Sequence, residues 1–336
     1  QIMSELRILS EEELKKYGTT WSWSARAKAL INQQKATWET AASHYRSLRQ
    51  VESRWVDFGH FRICLQHNPG RIRSSAADTG AAAVAARPCF LCAGNRPAEQ
   101  YGLPWGEGYT ILANPFPIFH YHLTIPFGEH TPQRLEGRIG DMLRLTRELR
   151  EFTLFYNGPR CGASAPDHFH FQAGIRDTLP IEEEVDSLLR DHAQRLGDDG
   201  PTQVAAVGNT LRRFLLFRSA DADHLERLLT RTIGILPHHD EEEPMMNLLV
   251  WFHENRWTLL LFPRAGQRPW QYFAEGEEKI MVSPAAVELG GLVILPRKED
   301  FLKITDDDLR SVFSQVTLSA EAFASVREQL TTFCVP

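Results

Sequence analysis

The spacing of hydrophobic and polar positions predicts short strands with helices between them. Four segments in the first half alternate in the way of strands half-buried on a sheet: 109–113, 121–126, 152–156 and 167–172. Apolar residues recur near the helical period from Leu135 to Leu149, and Pro132 is expected to open this helix. Such an antiparallel meander that carries a helix indicates an α+β fold.

A polar stretch at 175–205 separates this series from a second series of the same kind. The second series has strands expected at 210–218, 246–252, 257–263 and 289–295, a helix at 221–233, and helices that start at Thr305 and Ser319. We therefore expect an N-terminal lobe over 1–190 and a C-terminal lobe over 191–336. Residues 4–50 are expected to be helical and 73–87 a mobile loop. No repeat of residues is evident, so duplication is only a hypothesis.

Composition narrows the class of protein. The 336 residues are 43% hydrophobic, which is typical of a globular chain, and 37 basic residues against 43 acidic ones give a net charge of −6. Net acidity argues against a nucleic-acid partner. No apolar run reaches the ~20 residues of a membrane span and no leader is evident, so we expect a cytoplasmic protein without a membrane partner. Five cysteines do not suggest a disulfide framework, and Cys89-x-x-Cys92 indicates a metal or redox element.

The segment 167–172 carries the most informative chemistry. On a strand, His168, His170 and Gln172 share one face, and Phe169 and Phe171 point to the other. The alternative is a solvent-facing strand without a site. A neutral imidazole is a good nucleophile near pH 7, and glutamine can donate to phosphoryl oxygens but cannot act as a general base on water. This combination favours transfer of a phosphoryl-linked group over hydrolysis.

His168-Phe169-His170-Phe171-Gln172 resembles the His-x-His-x-Gln signature of the transferase branch of the histidine-triad (HIT) superfamily. The resemblance implies HIT-like antiparallel sheets with flanking helices in two similar lobes, the second of them degenerate. It also implies that His170 becomes covalently nucleotidylated and that Gln172 steadies the nucleotidyl phosphate. Further segments resemble GDP-hexose phosphorylases in collinear order: 66–71, 118–133, 156–162, 284–288 and 297–301.

Cys89-Phe90-Leu91-Cys92-Ala93-Gly94-Asn95 departs from that family and resembles the Cys-x-x-Cys-x-Gly-Asn element of galactose-1-phosphate uridylyltransferases. This second resemblance implies a structural Zn²⁺ held by Cys89, Cys92, His130 and His168. Two thiolates and two imidazoles suit a closed tetrahedral zinc site. His120 and His122 are nearby alternatives to His130, and a pair of ordinary buried thiols is the alternative to the whole site.

Other residues are candidates for nucleotide and phosphate binding. Arg71 and Asn68 lie on a Pro-Gly turn, where an arginine could hold a phosphate or could simply be solvated. The small residues around Asn157 and Ser164 allow backbone N–H groups to approach phosphate oxygens. The remaining two candidates, Asn114 and Phe116, lie at a strand-end turn where the resembling families bind the nucleoside, although Phe116 could instead belong to the core.

The resemblance predicts a nucleotidyltransferase or phosphorylase that acts on a nucleoside diphosphate sugar, with the GDP-hexose type favoured. The sugar 1-phosphate would leave, and inorganic phosphate or a sugar phosphate would accept the nucleotidyl group. A dinucleoside polyphosphate phosphorylase and a hexose-1-phosphate uridylyltransferase are alternatives, and a zinc-stabilised nucleotide-binding module is the non-enzymatic one. The base, the sugar, the acceptor and the formation of a homodimer remain open.

Overall fold

The structure is a computed structural model that describes residues 7–238 and 243–334. Within these ranges the chain forms thirteen strands: β1 Glu52–Asp57, β2 Arg62–His67, β3 Gly102–Trp105, β4 Tyr109–Ala113, β5 His122–Pro126, β6 Phe152–Asn157, β7 His170–Ile175, β8 Ala193–Asp199, β9 Thr202–Val207, β10 Phe214–Ser219, β11 Met246–His253, β12 Arg256–Pro263 and β13 Leu292–Leu295.

The described α-helices, numbered here in chain order, are α1 Glu11–Leu14, α2 Trp23–Thr37, α3 Glu39–Ser47, α4 Ile72–Ser75, α5 Ala81–Ala85, α6 Ile139–Glu148, α7 Pro180–Asp191, α8 Ala222–Gly234, α9 Trp270–Phe273, α10 Ala286–Leu289, α11 Lys298–Lys303, α12 Asp306–Val316 and α13 Ala320–Thr331. The expected starts at Thr305 and Ser319 are confirmed, because each hydroxyl accepts a bond from a backbone N–H of the first turn.

Ten strands form one sheet in the order β3-β4-β5-β7-β6-β11-β12-β10-β9-β8. We call the first five strands, β3 to β7, the N-terminal half-sheet. Along the chain, β3, β4 and β5 come first, helix α6 follows, and β6 and β7 come last. In the sheet, β7 lies between β5 and β6. The last five strands, β8 to β12, form the C-terminal half-sheet and follow the same order. Here β8, β9 and β10 come first, helix α8 follows, and β12 lies in the sheet between β10 and β11. The two halves therefore share one topology, as expected for a duplicated unit.

The half-sheets join edge to edge through their corresponding strands, β6 and β11. These strands are antiparallel, with Asn157 opposite Asn247 and Tyr156 opposite Leu248. The boundary expected near residue 190 falls between the two half-sheets. The division into two lobes stays a prediction, since a shared sheet does not establish that either half is a domain.

Alternating side chains send the two faces of the large sheet into different cores. One face packs against α2, α3, α6, α8 and α13, and Phe169 and Phe171 point into this core as expected. The other face packs in the C-terminal half against α7, α12 and a second sheet. This second sheet has the order β1-β2-β13, and its β2–β13 pair is parallel. The fold class expected from the sequence, α+β with antiparallel sheets and flanking helices, is confirmed.

Several local expectations were wrong. The predicted mobile loop at 73–87 instead contains most of α4 and all of α5. The helix expected from Pro132 begins only at Ile139, because the preceding residues bond to the segment before β7: Phe169 N donates to Thr131 O at 2.7 Å. Strand β7 begins at His170, so His168 lies in a bend before the strand.

None of the helices within the described ranges is both long and apolar enough to cross a bilayer.

Candidate functional site

The imidazole of His170 is held in one orientation at the first position of β7. Its Nδ1–H donates to the carbonyl of His168 at 2.8 Å, which leaves the Nε2 lone pair without a proton. The residue is only 3% exposed, and burial lowers the pKa of His170 to about 4, so the ring is neutral near pH 7. A neutral imidazole with a free Nε2 is the form that can attack phosphorus.

Gln133 fixes the backbone around His170. Its Oε1 accepts from His170 N at 2.9 Å, and its Nε2 donates at 3.0 Å to both His170 O and Asn157 O. One buried carboxamide thus ties the start of β7 to the end of β6. This role was not predicted, because Gln133 appears in the sequence only as a polar residue beside Pro132 at the end of the segment 118–133.

Gln172 lies two residues beyond His170 on the same face of β7. Its Oε1 accepts from His122 Nε2 at 3.0 Å and from Asn114 Nδ2 at 3.4 Å. Both lone pairs of that oxygen are thereby occupied, so the carboxamide offers its NH₂ group to the neighbouring space. His122 was expected only as an alternative metal ligand, and the structure places it against Gln172 instead.

His170 and Gln172 line a cleft of about 780 Å³ between the large sheet and the second sheet. The cleft lining includes most of the predicted binding residues: Arg71, Asn114, Phe116, Asn157 and Ser164. Asn68 is the exception, because it is 3% exposed and does not line the cleft. Its Nδ2 is buried without a hydrogen-bond partner among the described residues. The C-terminal half supplies Arg268, Glu288 and other residues to the opposite wall.

Arg71 brings a positive charge to the cleft. Its Nη1 donates to Phe116 O at 2.5 Å, which ties the turn after β2 to the turn after β4. Burial lowers the pKa of Arg71 to about 10 and the charge of Glu288 acts in the opposite direction, so Arg71 remains a cation. Burial raises the pKa of Glu288 to about 7, which removes part of its negative charge near neutral pH.

Asn157 links the site to the C-terminal half. Its Oδ1 accepts from Asn247 Nδ2 at 2.8 Å and from Ala286 N at 3.0 Å. With the oxygen occupied, the NH₂ group is the part left to contact a ligand. Ser164 also lines the cleft, and its carbonyl accepts from Arg87 Nη2 at 3.3 Å.

A second cluster lies directly before β7. The ligand atoms of Cys89, Cys92, His130 and His168 all lie within 4.8 Å of one another. The sulfur of Cys89 lies 3.4 Å from His168 Nδ1, and Cys92 Sγ lies 3.3 Å from His130 Nδ1. Tetrahedral zinc with bonds of about 2.3 Å to sulfur and about 2.0–2.1 Å to nitrogen would separate such atoms by about 3.5 Å. The donor set therefore fits a metal ion.

Two further contacts prepare these histidines as ligands through Nδ1. His168 Nε2–H donates to Phe127 O at 2.7 Å, and His130 Nε2 lies 3.6 Å from Asp167 Oδ2. Partners of this kind on the second ring nitrogen are usual for metal-binding histidines. Burial, together with the neighbouring Cys89, raises the pKa of Cys92, so two thiolates here would need a cation between them. The structure brings His130 rather than His120 or His122 to the cysteines.

Comparison with known proteins defines the class. Residues 30–175 match the family described as "Domain of unknown function (DUF4922)", and residues 200–334 match "GDPGP1-like, C-terminal domain". None of the curated proteins compared with the chain matches it. The crystal structure of yeast Ap4A phosphorylase Apa2 superposes with a TM-score of 0.54 at 16% identity, over 83% of this chain and 96% of that one.

The same yeast enzyme in complex with AMP gives a TM-score of 0.54 at 16% identity, over 86% of this chain and 98% of that one. At this identity the likeness shows the fold, so the chain is an α+β protein with the HIT-like fold of that phosphorylase. More particularly, its C-terminal part is similar to the GDPGP1-like C-terminal domain. The HIT-like fold expected from the histidine signature is confirmed.

Proposed function

We propose that the protein is a nucleotidyltransferase that forms a covalent nucleotidyl intermediate on His170. The observation that carries this proposal is the His170 imidazole, whose Nδ1–H is bound to the His168 carbonyl and whose Nε2 remains free beside Gln172 in the cleft. A binding module has no need of a nucleophile held in this way. The similarity of the fold to a phosphorylase supports the same class of reaction.

In the first step, Nε2 of His170 attacks the α-phosphorus of a bound nucleotide. A P–N bond forms, and the bond from phosphorus to the bridging oxygen breaks. The leaving phosphate takes that electron pair and is a sugar 1-phosphate or a nucleoside polyphosphate, which needs little protonation. The NH₂ groups of Gln172 and Asn157 would donate to the phosphoryl oxygens, where negative charge develops.

In the second step, an oxygen of an incoming phosphate attacks the same phosphorus. The P–N bond breaks and its electron pair returns to Nε2, which regenerates neutral His170. A glutamine at position 172 cannot remove a proton from water, so the site favours a phosphate acceptor over hydrolysis. Arg71 is the cation in the lining suited to hold that acceptor or the leaving phosphate.

The remaining predicted residues take supporting roles in this proposal. Asn114 and Phe116 would contact the nucleoside, and Ser164 would contact a phosphate, because all three line the cleft. Asn68 would act indirectly: it is buried, and its carbonyl accepts from Arg71 N at 3.1 Å, so it shapes the turn that carries Arg71.

The four-ligand cluster would hold a structural Zn²⁺ through Cys89, Cys92, His130 and His168. When bound, this ion would supply charge balance for two thiolates and a fixed position for His168. The protein itself does the rest: the carbonyl of His168 binds Nδ1–H of His170 and so aims Nε2 at the cleft.

The substrate is proposed as a GDP-hexose with inorganic phosphate as acceptor, because five collinear segments resemble GDP-hexose phosphorylases and residues 200–334 match the GDPGP1-like domain. A dinucleoside polyphosphate phosphorylase is the second candidate, favoured by the Ap4A phosphorylase fold. A hexose-1-phosphate uridylyltransferase is a third, suggested by the cysteine element alone.

Intact-mass measurement after incubation with GDP-, UDP- and ADP-glucose and with Ap4A tests the proposal. We expect an added nucleoside monophosphate mass with a GDP-sugar or with Ap4A, and its loss on adding inorganic phosphate. Peptide mapping should locate the adduct on His170. The variant His120→Ala, an exposed histidine, serves as the control that keeps the adduct. Binding without an adduct, or an adduct on His168, would overturn the mechanism.

A further inference from the structure

His122 occupies an unusual place for a histidine. It is fully buried on β5, beside Thr124, whose backbone pairs with Gln172 across the sheet. Its ring packs against Phe119 and Phe155, with ring centroids 5.2 and 5.9 Å away. An imidazole in such surroundings could be replaced by an apolar ring unless its two nitrogens are needed.

The two nitrogens of His122 form a hydrogen-bond chain with one direction. Ile118 N–H donates to Nδ1 at 3.1 Å, so Nδ1 carries no proton. The proton of the neutral ring therefore lies on Nε2, which donates to Gln172 Oε1 at 3.0 Å. The backbone N–H of Ile118 thus determines the tautomer, and the tautomer determines which end of the Gln172 carboxamide His122 can bind.

Asn114 contributes the second donor to the same oxygen, and its own orientation is fixed. Its Oδ1 accepts from Phe116 N at 2.8 Å, and its Nδ2 donates to Thr124 Oγ1 at 2.9 Å. If the Gln172 carboxamide turned by 180°, its NH₂ group would face two donors, and its oxygen would face the cleft. That oxygen would repel a phosphoryl group, whereas the NH₂ group attracts it.

The ring cannot easily gain a second proton. A proton on Nδ1 would face the N–H of Ile118, and burial together with the positive charge of Arg71 lowers the pKa of His122 to about 3. Among the described residues, the hydrogen-bond and ring-contact partners of the His122 imidazole are Ile118 N, Gln172, Phe119 and Phe155, and none of these is acidic.

We propose that His122 is a positioning residue, which orients the Gln172 carboxamide so that its NH₂ group faces the phosphoryl group transferred to His170. The part of this proposal that concerns catalysis rests on the function proposed above. The orientation of the carboxamide does not, since it follows from the hydrogen bonds alone.

A double-mutant cycle tests whether His122 acts through Gln172. The readout is the single-turnover rate of adduct formation, with GDP-glucose and separately with Ap4A as probes. We expect Gln172→Ala to lower the rate about 100-fold, and His122→Phe about 10-fold because the carboxamide is then free to turn. The double variant should match Gln172→Ala within about twofold. Additive losses, which would reach about 1000-fold in the double variant, would overturn the proposal.

Rescue and a control separate positioning from a merely structural role. His122→Gln keeps an N–H donor towards Gln172 and should recover the rate to within about threefold of the unmodified protein. His120→Phe, the same change at an exposed position on the same turn, should leave the rate unchanged. Equal losses in His122→Gln and His122→Phe would contradict positioning by hydrogen bonding.

Imidazole ¹⁵N NMR of the unmodified protein tests the orientation without any substrate. We expect His122 to be the neutral Nε2–H tautomer from pH 5 to pH 8. An Nδ1–H tautomer or an imidazolium in that range would overturn the proposal even if every variant failed to fold. If the tautomer is as expected and no probe forms an adduct, the function proposed above fails while the orientation of Gln172 stands.

Discussion

The two half-sheets share one strand order, but the same face of the equivalent strand, β7 or β12, is polar in one half and apolar in the other. In the N-terminal half-sheet, β7 presents His170 and Gln172 to the cleft. In the C-terminal half-sheet, β12 holds the same place between the third and fourth strands, and it presents Leu260 and Phe262 to a dry core. The strand order is therefore compatible with a polar face that lines a cleft and with an apolar face that is buried in a core.

The two halves differ in the secondary-structure elements that cover this face of the sheet. In the C-terminal half, α7 and α12 pack on it and exclude water, so a polar side chain there would lose its hydration without a partner. In the N-terminal half, a cleft separates His170 and Gln172 from the second sheet and α10, which contribute Ile294 and Glu288 to its lining. The comparison teaches that the elements covering this face, rather than the strand order, decide which half presents polar side chains to a cleft.

The largest expected effect is the loss of the nucleophile. His170→Ala should abolish the nucleotidyl adduct and lower turnover by at least ~10³-fold, because no other free imidazole is proposed to attack phosphorus. Metal content and fold should be unchanged, as measured by elemental analysis and circular dichroism. Turnover that survives in His170→Ala would show that His170, on the polar face of β7, is not the group that attacks phosphorus.

Removal of a predicted metal ligand should have the second largest effect. Cys89→Ser should weaken zinc binding by more than about 100-fold and lower the melting temperature, because a hydroxyl is a poor substitute for a thiolate. Elemental analysis of protein purified without chelator gives the metal content. Cys64→Ser, which changes a buried thiol on β2, is the control that should keep the metal. Absence of zinc from the unmodified protein would contradict the prediction.

The apolar counterpart in β12 should affect stability instead of catalysis. Leu260→Ala should destabilise the protein by about 2–5 kcal/mol, because it leaves a cavity in a fully buried core. Denaturant unfolding measures the change. Under conditions where the variant is folded, the rate of adduct formation should be unaffected. A variant with full stability and no adduct would show that the comparison between β7 and β12 is wrong.

Gln172→Ala tests the second polar position of β7. The loss of one donor to the phosphoryl oxygens should slow adduct formation about 100-fold, equivalent to about 2.7 kcal/mol in activation free energy. Adduct should still form on His170, since the nucleophile is intact. Thermal unfolding should change little compared with Leu260→Ala. An unchanged rate would remove Gln172 from the mechanism.

The smallest expected effect concerns a carboxyl that joins the two halves. Glu243 accepts from Leu135 N and from the Tyr156 hydroxyl, and burial raises its pKa to about 7 from an ordinary value of 4.5. A raised carboxyl pKa favours folding most below pH 4.5, and this contribution is lost as the pH rises through 7. The melting temperature should therefore fall between pH 5 and pH 8.

Glu243→Gln should show a smaller fall in melting temperature over the same range, because the amide cannot ionise. Glu254→Gln changes an exposed residue of the β11–β12 hairpin and is the matched control. Identical pH profiles for Glu243→Gln and the unmodified protein would show that Glu243 is not protonated in the folded state.

The histidine strand could be predicted from the sequence because it depends on local rules. Alternation placed Phe169 and Phe171 in the core, and the spacing of His170 and Gln172 put both on one face. The Cys-x-x-Cys pair by itself indicated a metal or redox element, and the structure brings both cysteines together with His130 and His168. Capping residues such as Thr305 marked helix starts for the same reason, since a cap needs only its own first turn.

Other features depend on long-range contacts that no local pattern contains. The helix expected at Pro132 starts later because Gln133 bonds to β6 and β7, whose positions are set by the whole sheet. The partnership of His122 with Gln172 requires the register between β5 and β7. Asn68 reads as a surface turn residue, and its burial arises from the second sheet, in which β2 meets β13 from the far end of the chain.

The edge-to-edge joint between β6 and β11 has a consequence for how the site responds to dilution. The cleft takes Arg268 and Glu288 from the C-terminal half, and Asn157 is oriented by Asn247 across the joint. If the halves were separate chains, the fraction of complete sites would follow mass action and fall at low protein concentration. Covalent continuity makes their association intramolecular. One polypeptide therefore keeps the two walls of this cleft together at any protein concentration.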